Sequence, residues 1–455
     1  MPTNNSIRRG GLARGLRLSL AGARAGGAFA IDGALKKIRG DTRDEDTLLD
    51  REARRFARQL GELKGSYVKI GQLLALLGEH LLPAPLTKAL HELEAQTRPV
   101  AWSEMQSVFR SGLGAHYSEL EIEPEALAAA SLAQVHRARI ASTGEQVVVK
   151  GQYPDLVALL DDDFNAVVKM LRLARWIPGS RDFDSWLSIL HKQLLAEVDY
   201  TREQRMAQTM ADALAKHPQL HRAPVSIRVP QFWPELCTVD VLTMEYVDGH
   251  RAASTAVATL PQPTRNELGK VILQLFFAEV FDLGLVQTDP NFGNYLINEA
   301  GTELTLLDFG SVFELDHTVQ TALCNTILAG LNNDDARLEK ALVQLGCLPS
   351  DAGDSAKETF KAFIGNLLEP LRPPATLPPE FLNAEGHYCW GRSGLINRTG
   401  QQVARSLANR EFAIPSGDFA MVARKLTGVF TFIAVLDAEF NGHDIVAPYF
   451  AGAAA

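Results

Sequence analysis

Large apolar residues recur at helical spacing near the start of the chain. Four of them follow one another at steps of four, three and four, on one helix face: Phe56, Leu60, Leu63 and Tyr67. The pattern predicts one helix from Leu48 to Leu82, ended by Pro83 and Pro85. Two more helices are predicted over residues 85–96 and 103–113.

Short strands are predicted after residue 118. Leu120 and Ile122 predict a short first strand, which is followed by an alanine stretch at residues 126–130. Alternating or uniformly apolar runs predict four further strands: 135–140, 146–150, 227–230 and 239–247. A long helical block at residues 156–214 separates the two pairs.

The rest of the chain is predicted to be mostly helical. Residues 268–283 are apolar nearly all round and end at Gly284, which predicts a buried helix. A hairpin is predicted to join residues 295–297 to residues 304–307. The apolar run 427–436 has ten residues, too few to span a bilayer, and predicts another buried helix.

Composition narrows the function classes. Of the 455 residues, 46% are hydrophobic and 22% are charged, which is typical of globular proteins with a core. The net charge of −9 argues against a nucleic-acid-binding protein. The four cysteines form no CxxC pair, which argues against a zinc site or disulfide framework and favours a reducing cytosol.

The first 40 residues differ from the remainder in charge. They hold eight basic residues and one acid, Asp32. Such a segment is typical of an organelle transit peptide, a weak membrane-surface helix or a solvated terminus, and the three alternatives stay open. No transmembrane helix is predicted, so we expect a cytoplasmic protein with room for peripheral membrane contact.

One ordered set of residues predicts phosphoryl transfer. Lys150 on a strand supplies a cation for the α- and β-phosphates of a nucleotide, and an acidic partner must hold it in place. Asp308, in an Asp-Phe-Gly sequence, and Asn294 supply hard oxygen ligands for Mg²⁺ at the two ends of the predicted hairpin. Asp289, five residues before Asn294, stands where a base would accept a hydroxyl proton or orient a water.

The segment before the lysine strand departs from the protein-kinase pattern. Where a protein kinase has a glycine-rich loop, this chain has Ala128, Ala129, Ala130 and Ser131. Alanine disfavours positive φ and keeps backbone amides further from phosphate. We therefore expect these residues to hold a nucleotide differently.

Together the motifs resemble those of the UbiB-like (AarF-type) atypical kinases linked to coenzyme Q biosynthesis, over roughly residues 55–313. The similar segments are, in order, KIGQ at 69–72, the alanine loop with QVH at 134–136, VK at 149–150 with QYP at 152–154, EVDY at 197–200, QTDPNFGN at 287–294 and LDFG at 307–310. The catalytic loop lacks the usual His-Arg.

The resemblance implies an α+β, protein-kinase-like two-lobe fold with an N-terminal helical extension over the active site and a mostly helical C-terminal lobe. The predicted domains are a basic segment and linker (1–47), the extension (48–117), an N-lobe with a helical insert (118–247) and a C-lobe (248–455).

The resemblance also implies roles for further residues. Glu203 takes the place of the glutamate that pairs with Lys150, and Glu245 and Val247 join the nucleotide-binding positions. A regulatory group places Lys69 near the nucleotide and near acidic partners: Lys69, Gln72, Glu197 and Asp199.

Two functions compete. One is a Mg²⁺-dependent ATPase or small-molecule phosphotransferase, binding ATP or ADP and acting on or near quinone-pathway lipids at an anionic membrane surface, with quinone-biosynthesis proteins as partners. The other is a non-catalytic, nucleotide-gated lipid-binding or scaffold protein. The complete set of catalytic residues favours the enzyme, whereas obstruction by Lys69 and the alanine loop favour the scaffold. The obstruction by Lys69 also disfavours phosphorylation of proteins in trans.

Overall fold

The computed structural model describes residues 48–63, 66–77, 82, 84–91, 99–177, 181–289, 291–398 and 417–452. The basic N-terminal segment and linker predicted at 1–47 lie outside these ranges. The chain forms two compact units. The first unit runs to Arg202 and adds Trp233–Glu245, and the second comprises Glu203–Phe232 and Tyr246–Ala455. The predicted domain boundaries at 47, 117 and 247 stay predictions.

Helices dominate both units. In chain order they are α1 Leu48–Leu63, α2 Ser66–Leu77, α3 Ala84–His91, α4 Trp102–Leu113, α5 Leu156–Leu173, α6 Arg181–Ala196, α7 Tyr200–Lys216, α8 Pro218–His221, α9 Thr255–Ala258, α10 Gln262–Phe277, α11 His317–Asn332, α12 Asp335–Gln344, α13 Asp354–Leu367, α14 Trp390–Ser393, α15 Gly417–Val435 and α16 His443–Gly452.

The strands are short by comparison. They are β1 Leu120–Ala129, β2 Ala133–Ile140, β3 Gln146–Gln152, β4 Ser226–Arg228, β5 Val241–Glu245, β6 Leu285–Gln287, β7 Tyr295–Ile297, β8 Glu303–Leu306 and β9 Val312–Glu314. They form sheets ordered β1-β2-β3-β5, β4-β8-β7 and β6-β9.

Apolar residues of the first two helices are buried, although they belong to two helices and not to one helix face. Phe56, Leu60 and Tyr67 are buried in a core shared with α5 and α6. The single helix predicted over Leu48–Leu82 is wrong, because α1 ends at Leu63 and α2 begins at Ser66. Gly65 stands between them in the sequence, and glycine is unfavourable inside a helix.

The four-stranded sheet carries the lysine strand in its interior. β3 pairs antiparallel with β2 and β5. Helix α4 covers one face, where Phe109 packs among the buried valines of β3 and β5. A Cβ at Gly151 would lie 2.5 Å from Cε1 of Phe109, so glycine after Lys150 permits this close packing.

The first strand is longer than predicted. β1 is an edge strand whose pairing with β2 is irregular between Ile122 and Ala126 and again before Ala128. Pro124 lies in the first irregular stretch, where its missing N–H costs no ladder hydrogen bond. The alanine stretch therefore continues the strand, and the prediction of a strand limited to residues 120–122 is wrong.

The second unit has a large helical core with two small sheets. The predicted hairpin is confirmed, because Tyr295 pairs with Leu306 and Ile297 with Leu304 in antiparallel register. The predicted buried helix is confirmed too: α10 continues as a π-helical turn, Ala278–Leu283, and ends at Gly284 with φ of 62°. β9 was not predicted, because its three residues leave little pattern to read.

Helix α15, the second-last of the described helices, is buried over much of its length, as the run at 427–436 predicts. Phe360, Ile364 and Leu367 of α13 are buried, and their spacing of four and three residues places them on one face of that helix. Among the described helices, none has both the length and the apolar character needed to cross a bilayer.

Candidate functional site

Lys150 lies in the middle of the sheet of the first unit. It pairs with Val135 on one side and Leu242 on the other, so two neighbouring strands fix its backbone. Its Nζ lies 4.7 Å from the ring centroid of Tyr200, within cation–π range. The ring supports the lysine head beside the start of α7.

The alanine segment divides between strand and turn. Ala128 pairs with Val135 and Ala129 with Gln134, so these two belong to β1. The turn is Ala130–Leu132, where the Ala130 N–H donates to the Ala133 carbonyl at 2.8 Å and the Tyr153 hydroxyl donates to the Ala130 carbonyl at 3.0 Å. The four-residue loop expected at 128–131 is therefore corrected to a shorter, anchored turn.

Lys69 forms an ion pair with Glu197, one of the two acidic partners expected for it. The side chains of the pair are 20% and 14% exposed, so it is largely shielded from solvent. The pair joins α2 to the residue directly after α6. Gln72, three residues after Lys69 on α2, is half-buried, and its regulatory role stays a prediction.

Asp199 caps helix α7. Its Oδ1 accepts hydrogen bonds from the Thr201 N–H at 3.1 Å, the Thr201 hydroxyl at 2.6 Å and the Arg202 N–H at 3.1 Å. This is the N-cap arrangement, in which a side-chain oxygen satisfies the first free amides of a helix. The cap fixes the first turn of α7, which carries Glu203.

The Asp289 carboxylate is held on both oxygens. The amide nitrogen of Asn294 donates to Oδ2 at 2.9 Å, and Nη2 of Arg424 lies 3.3 Å from Oδ1. Because the amide nitrogen faces a carboxylate, the Asn294 carbonyl oxygen faces away and is the atom suited to a cation. Arg424 was not predicted as a site residue.

Two backbone links bring the catalytic loop and the Asp-Phe-Gly segment together. The Leu307 N–H donates to the Asn294 carbonyl at 2.9 Å, and the Thr288 N–H donates to the Ser311 carbonyl at 3.2 Å. Gln287 also pairs with Val312 between β6 and β9. Residues on both sides of Asp289 and Asp308 are thus joined.

Asp308, Gly310 and Glu203 are neighbours in the second unit. The Gly310 N–H donates to Asp308 Oδ1 at 3.0 Å. A Cβ at Gly310 would lie 3.5 Å from Asp308 Oδ1 and 3.6 Å from Glu203 Oε2. Phe309 is fully buried and meets the ring of Phe232 edge to face at 6.2 Å, which anchors the segment.

Lys425 forms a buried polar cluster that the sequence did not indicate. Its Nζ lies 3.3 Å from Glu279 Oε2, 3.3 Å from Gln287 Oε1 and 3.2 Å from Tyr295 Oη. All four side chains are buried. A lysine at the edge of the apolar run 427–436 is the signal that could have revealed it, but the pattern names no partner.

The electrostatics of this cluster are set by burial and charge pairing. Burial raises the pKa of Glu279 to about 7, against the opposing pull of Lys425. Burial alone would lower the pKa of Lys425, but Glu279 and Tyr295 together raise it above the ordinary lysine value. The ammonium therefore stays charged at neutral pH.

The remaining predicted pairs and contacts stay predictions. The ion pair between Lys150, in the first unit, and Glu203, in the second, stays a prediction. Glu245 is the last residue of β5, and Val247 follows two residues later. Their contact with a nucleotide is untested.

Comparison with known proteins identifies the family. Residues 92–342, more than half of the chain, match the ABC1 atypical kinase-like domain. "Atypical kinase COQ8, mitochondrial" of Schizosaccharomyces pombe is 28% identical over 416 residues, which cover 90% of this chain and 65% of that protein. "Atypical kinase COQ8B, mitochondrial" of Danio rerio is 28% identical over 434 residues, which cover 95% and 66%.

The fold has a solved counterpart. The Mycobacterium tuberculosis protein Rv3197, solved in complex with erythromycin, aligns with a TM-score of 0.59 and 22% identity over 88% of this chain and 95% of that one. This likeness confirms the α+β kinase-like two-lobe fold. The chain spans about two thirds of the length of the two COQ8 relatives named above. The chain belongs to the ABC1 atypical kinase-like family, the UbiB-like kinases that its motifs resemble.

Proposed function

We propose that this protein is a Mg²⁺-dependent ATPase or small-molecule phosphotransferase that supports isoprenoid-quinone (ubiquinone) biosynthesis. The observation that carries the proposal is the joining of the catalytic loop to the Asp-Phe-Gly segment by backbone hydrogen bonds. This arrangement gathers Asp289, Asn294 and Asp308, the residues that phosphoryl transfer requires.

Each residue has a distinct task in the proposed reaction. The donor set of Asp308 and Asn294 fits Mg²⁺, because carboxylate and amide oxygens are hard ligands. When bound, Mg²⁺ would neutralise charge developing on the phosphates. Lys150 binds the α- and β-phosphates of ATP or ADP, and Glu203 orients it. Asp289, itself positioned by Asn294 and Arg424, orients the attacking hydroxyl or water.

The pathway assignment rests on relatives. The two proteins named COQ8 and COQ8B match across most of this chain. We extend from them a role in quinone production, with quinone-pathway lipids and quinone-biosynthesis proteins as partners. Peripheral contact with an anionic membrane surface belongs to the same proposal.

A non-catalytic scaffold is the second candidate. The shielded Lys69–Glu197 pair favours it, because it ties a helix of the N-terminal extension to the segment that leads into α7. The anchored turn Ala130–Leu132 also favours it, because it has no glycine to bring amides close to phosphate. A scaffold would bind nucleotide without turning it over.

Steady-state ATP hydrolysis separates the two candidates. We expect Mg²⁺-dependent turnover by the whole protein, measured with and without vesicles that contain anionic phospholipid. Asp308→Asn, which keeps the size and removes the charge, should lower kcat by about 100-fold or more, because a metal ligand is weakened. Nucleotide binding with no turnover in either condition would establish the scaffold instead.

A further inference from the structure

The Lys425 cluster lies directly against the catalytic loop. Gln287 is two residues before Asp289, and Tyr295 is the residue after Asn294. Both side chains are uncharged, and both accept a hydrogen bond from the Lys425 ammonium, at 3.3 Å and 3.2 Å. One nitrogen atom thus joins the two ends of the loop.

Every N–H group of the Lys425 ammonium has a partner in this cluster. Lysine has three N–H donors, and Lys425 has three partners: Glu279, Gln287 and Tyr295. Lys425 and Glu279 are almost completely buried, at 1% and 0% side-chain exposure. Their charges are therefore little screened by solvent.

Stability is a poor explanation for such a pair. Desolvation of two charges offsets much of their attraction, and apolar residues of similar size often serve the fold as well or better. A buried ion pair has a clearer role where it fixes the positions of the groups that it contacts. Here the geometry concerned is that of the loop that carries Asp289 and Asn294.

The preceding residue on α15 acts on the same loop. Arg424 lies 3.3 Å from Asp289 Oδ1, while Lys425 holds the loop ends. Consecutive side chains of a helix point in directions about 100° apart, so α15 reaches both the centre and the base of the loop.

We propose that Lys425 is a positioning residue that sets the spacing of Asp289 and Asn294 for Mg²⁺–nucleotide binding, with Glu279 as its acidic partner. The inference rests on the proposed function for its site. It adds that helix α15, more than 120 residues after the loop, determines the geometry of that site.

The test compares nucleotide affinity with and without Mg²⁺ in the full chain. Isothermal titration calorimetry gives the Kd for ATP in excess Mg²⁺ and in EDTA. The ratio of the Kd in EDTA to the Kd in Mg²⁺ is the Mg²⁺ gain in affinity. In Lys425→Met/Glu279→Gln, which leaves no lone buried charge, we expect this gain to fall by about tenfold or more. The affinity in EDTA should stay within about twofold of wild type, because the loop acts through the metal.

The chain offers a matched control elsewhere in the second unit. Arg398 pairs with Glu369 at 2.7 Å, and the Tyr388 hydroxyl donates to the same carboxylate at 2.7 Å. Arg398→Met/Glu369→Gln makes the same chemical change at a more exposed pair, 39% and 12% exposed, and none of these bonds reaches the loop. It should keep the Mg²⁺ gain within about twofold of wild type.

The outcomes are distinct. An unchanged Mg²⁺ gain in the folded Lys425→Met/Glu279→Gln variant, or an equal loss in Mg²⁺ and in EDTA, would overturn the proposal. If that variant does not fold, Tyr295→Phe removes one tie only and should lose about threefold of the gain; no loss there would overturn it too. Absence of ATP hydrolysis by wild type would sink the proposed function, while the binding comparison would still decide the role of Lys425.

Discussion

Individual side chains in this protein have roles that their residue type leaves open. Asp199 and Glu197 are two residues apart, yet Glu197 pairs with Lys69 whereas Asp199 caps α7. The cap places Glu203 in the first turn of that helix, where the helix dipole favours an acidic side chain. A pair of carboxylates that looks like one acidic site thus does two separate jobs.

A pH dependence of stability follows from Glu279. Its pKa is raised to about 7 in the folded protein, whereas its ordinary value is 4.5. Between these values the unfolded chain has lost a proton that the folded chain still binds, so the free energy of unfolding falls as pH rises. Stability from this group is complete below pH 4.5 and lost by about pH 7.

Denaturant unfolding across that pH window provides the measurement. The stability of wild type minus that of Lys425→Met/Glu279→Gln should decrease from pH 4.5 to 7, by at most about 1.4 kcal/mol per pH unit. Lys425 and Tyr295 titrate above this window, because both have raised pKa values. A difference that is constant or increases with pH would contradict the assignment.

At the scale of elements, the turn between β1 and β2 stands where a protein kinase has its glycine-rich loop, and it is built differently. Tyr153 anchors it through the Ala130 carbonyl, and its own N–H donates to the Leu132 carbonyl at 3.1 Å. No alanine in this turn has positive φ; the described non-glycine residues that do are Asp155, Arg175, Asn333 and Asp437. The turn is therefore built without the conformations that bring several amides to one phosphate.

Ala130→Gly tests whether this turn selects the nucleotide. Glycine widens the range of φ at the only alanine of the segment that lies outside β1, so we expect the ratio of ATP to ADP affinity to change by about threefold or more. Stability should fall by only about 1 kcal/mol. Ala141→Gly, at an exposed turn after β2, is the matched control and should leave the ratio unchanged. The same ratio of ATP to ADP affinity in wild type and both variants would show that the turn does not select between the two nucleotides.

At the scale of the whole molecule, helices α1–α3 correspond to the N-terminal extension that the motif resemblance predicts. They share a core with α5 and α6 in the first unit, so they are an integral part of it. Lys69 is the charged exception on a helix with buried neighbours such as Val68 and Ile70. Its pairing with Glu197 gives the extension a specific link to the segment leading into α7.

Lys69→Met is expected to change ATP turnover more than stability. The ion pair is partly exposed, so its loss should cost about 1 kcal/mol or less of unfolding free energy, while kcat should change by about threefold or more if the extension regulates the site. Lys88→Met, at an exposed position on the adjacent helix α3, is the control. Turnover by Lys69→Met that matches both the control and wild type would make the pair purely structural.

Local pattern and motif order determined a large part of this picture. The lysine strand, the hairpin between Asn294 and Asp308 and the buried helices follow from periodicity and turn residues, which act between near neighbours in the chain. An acidic partner for Lys69, Glu197 or Asp199, was expected from the motif resemblance, and it agrees with the need of a shielded ammonium for a carboxylate.

Only the tertiary structure decided which distant groups complete the site. Arg424 and Lys425 lie at least 130 residues after the residues of the loop and its ends that they contact, and no local pattern encodes so remote a partner. The strand character of Ala128 and Ala129 was likewise set by their pairing with β2. The physical reason is the same in each case: burial and hydrogen-bond satisfaction depend on the neighbours that folding brings together, and these outweigh the weak preferences of the local sequence.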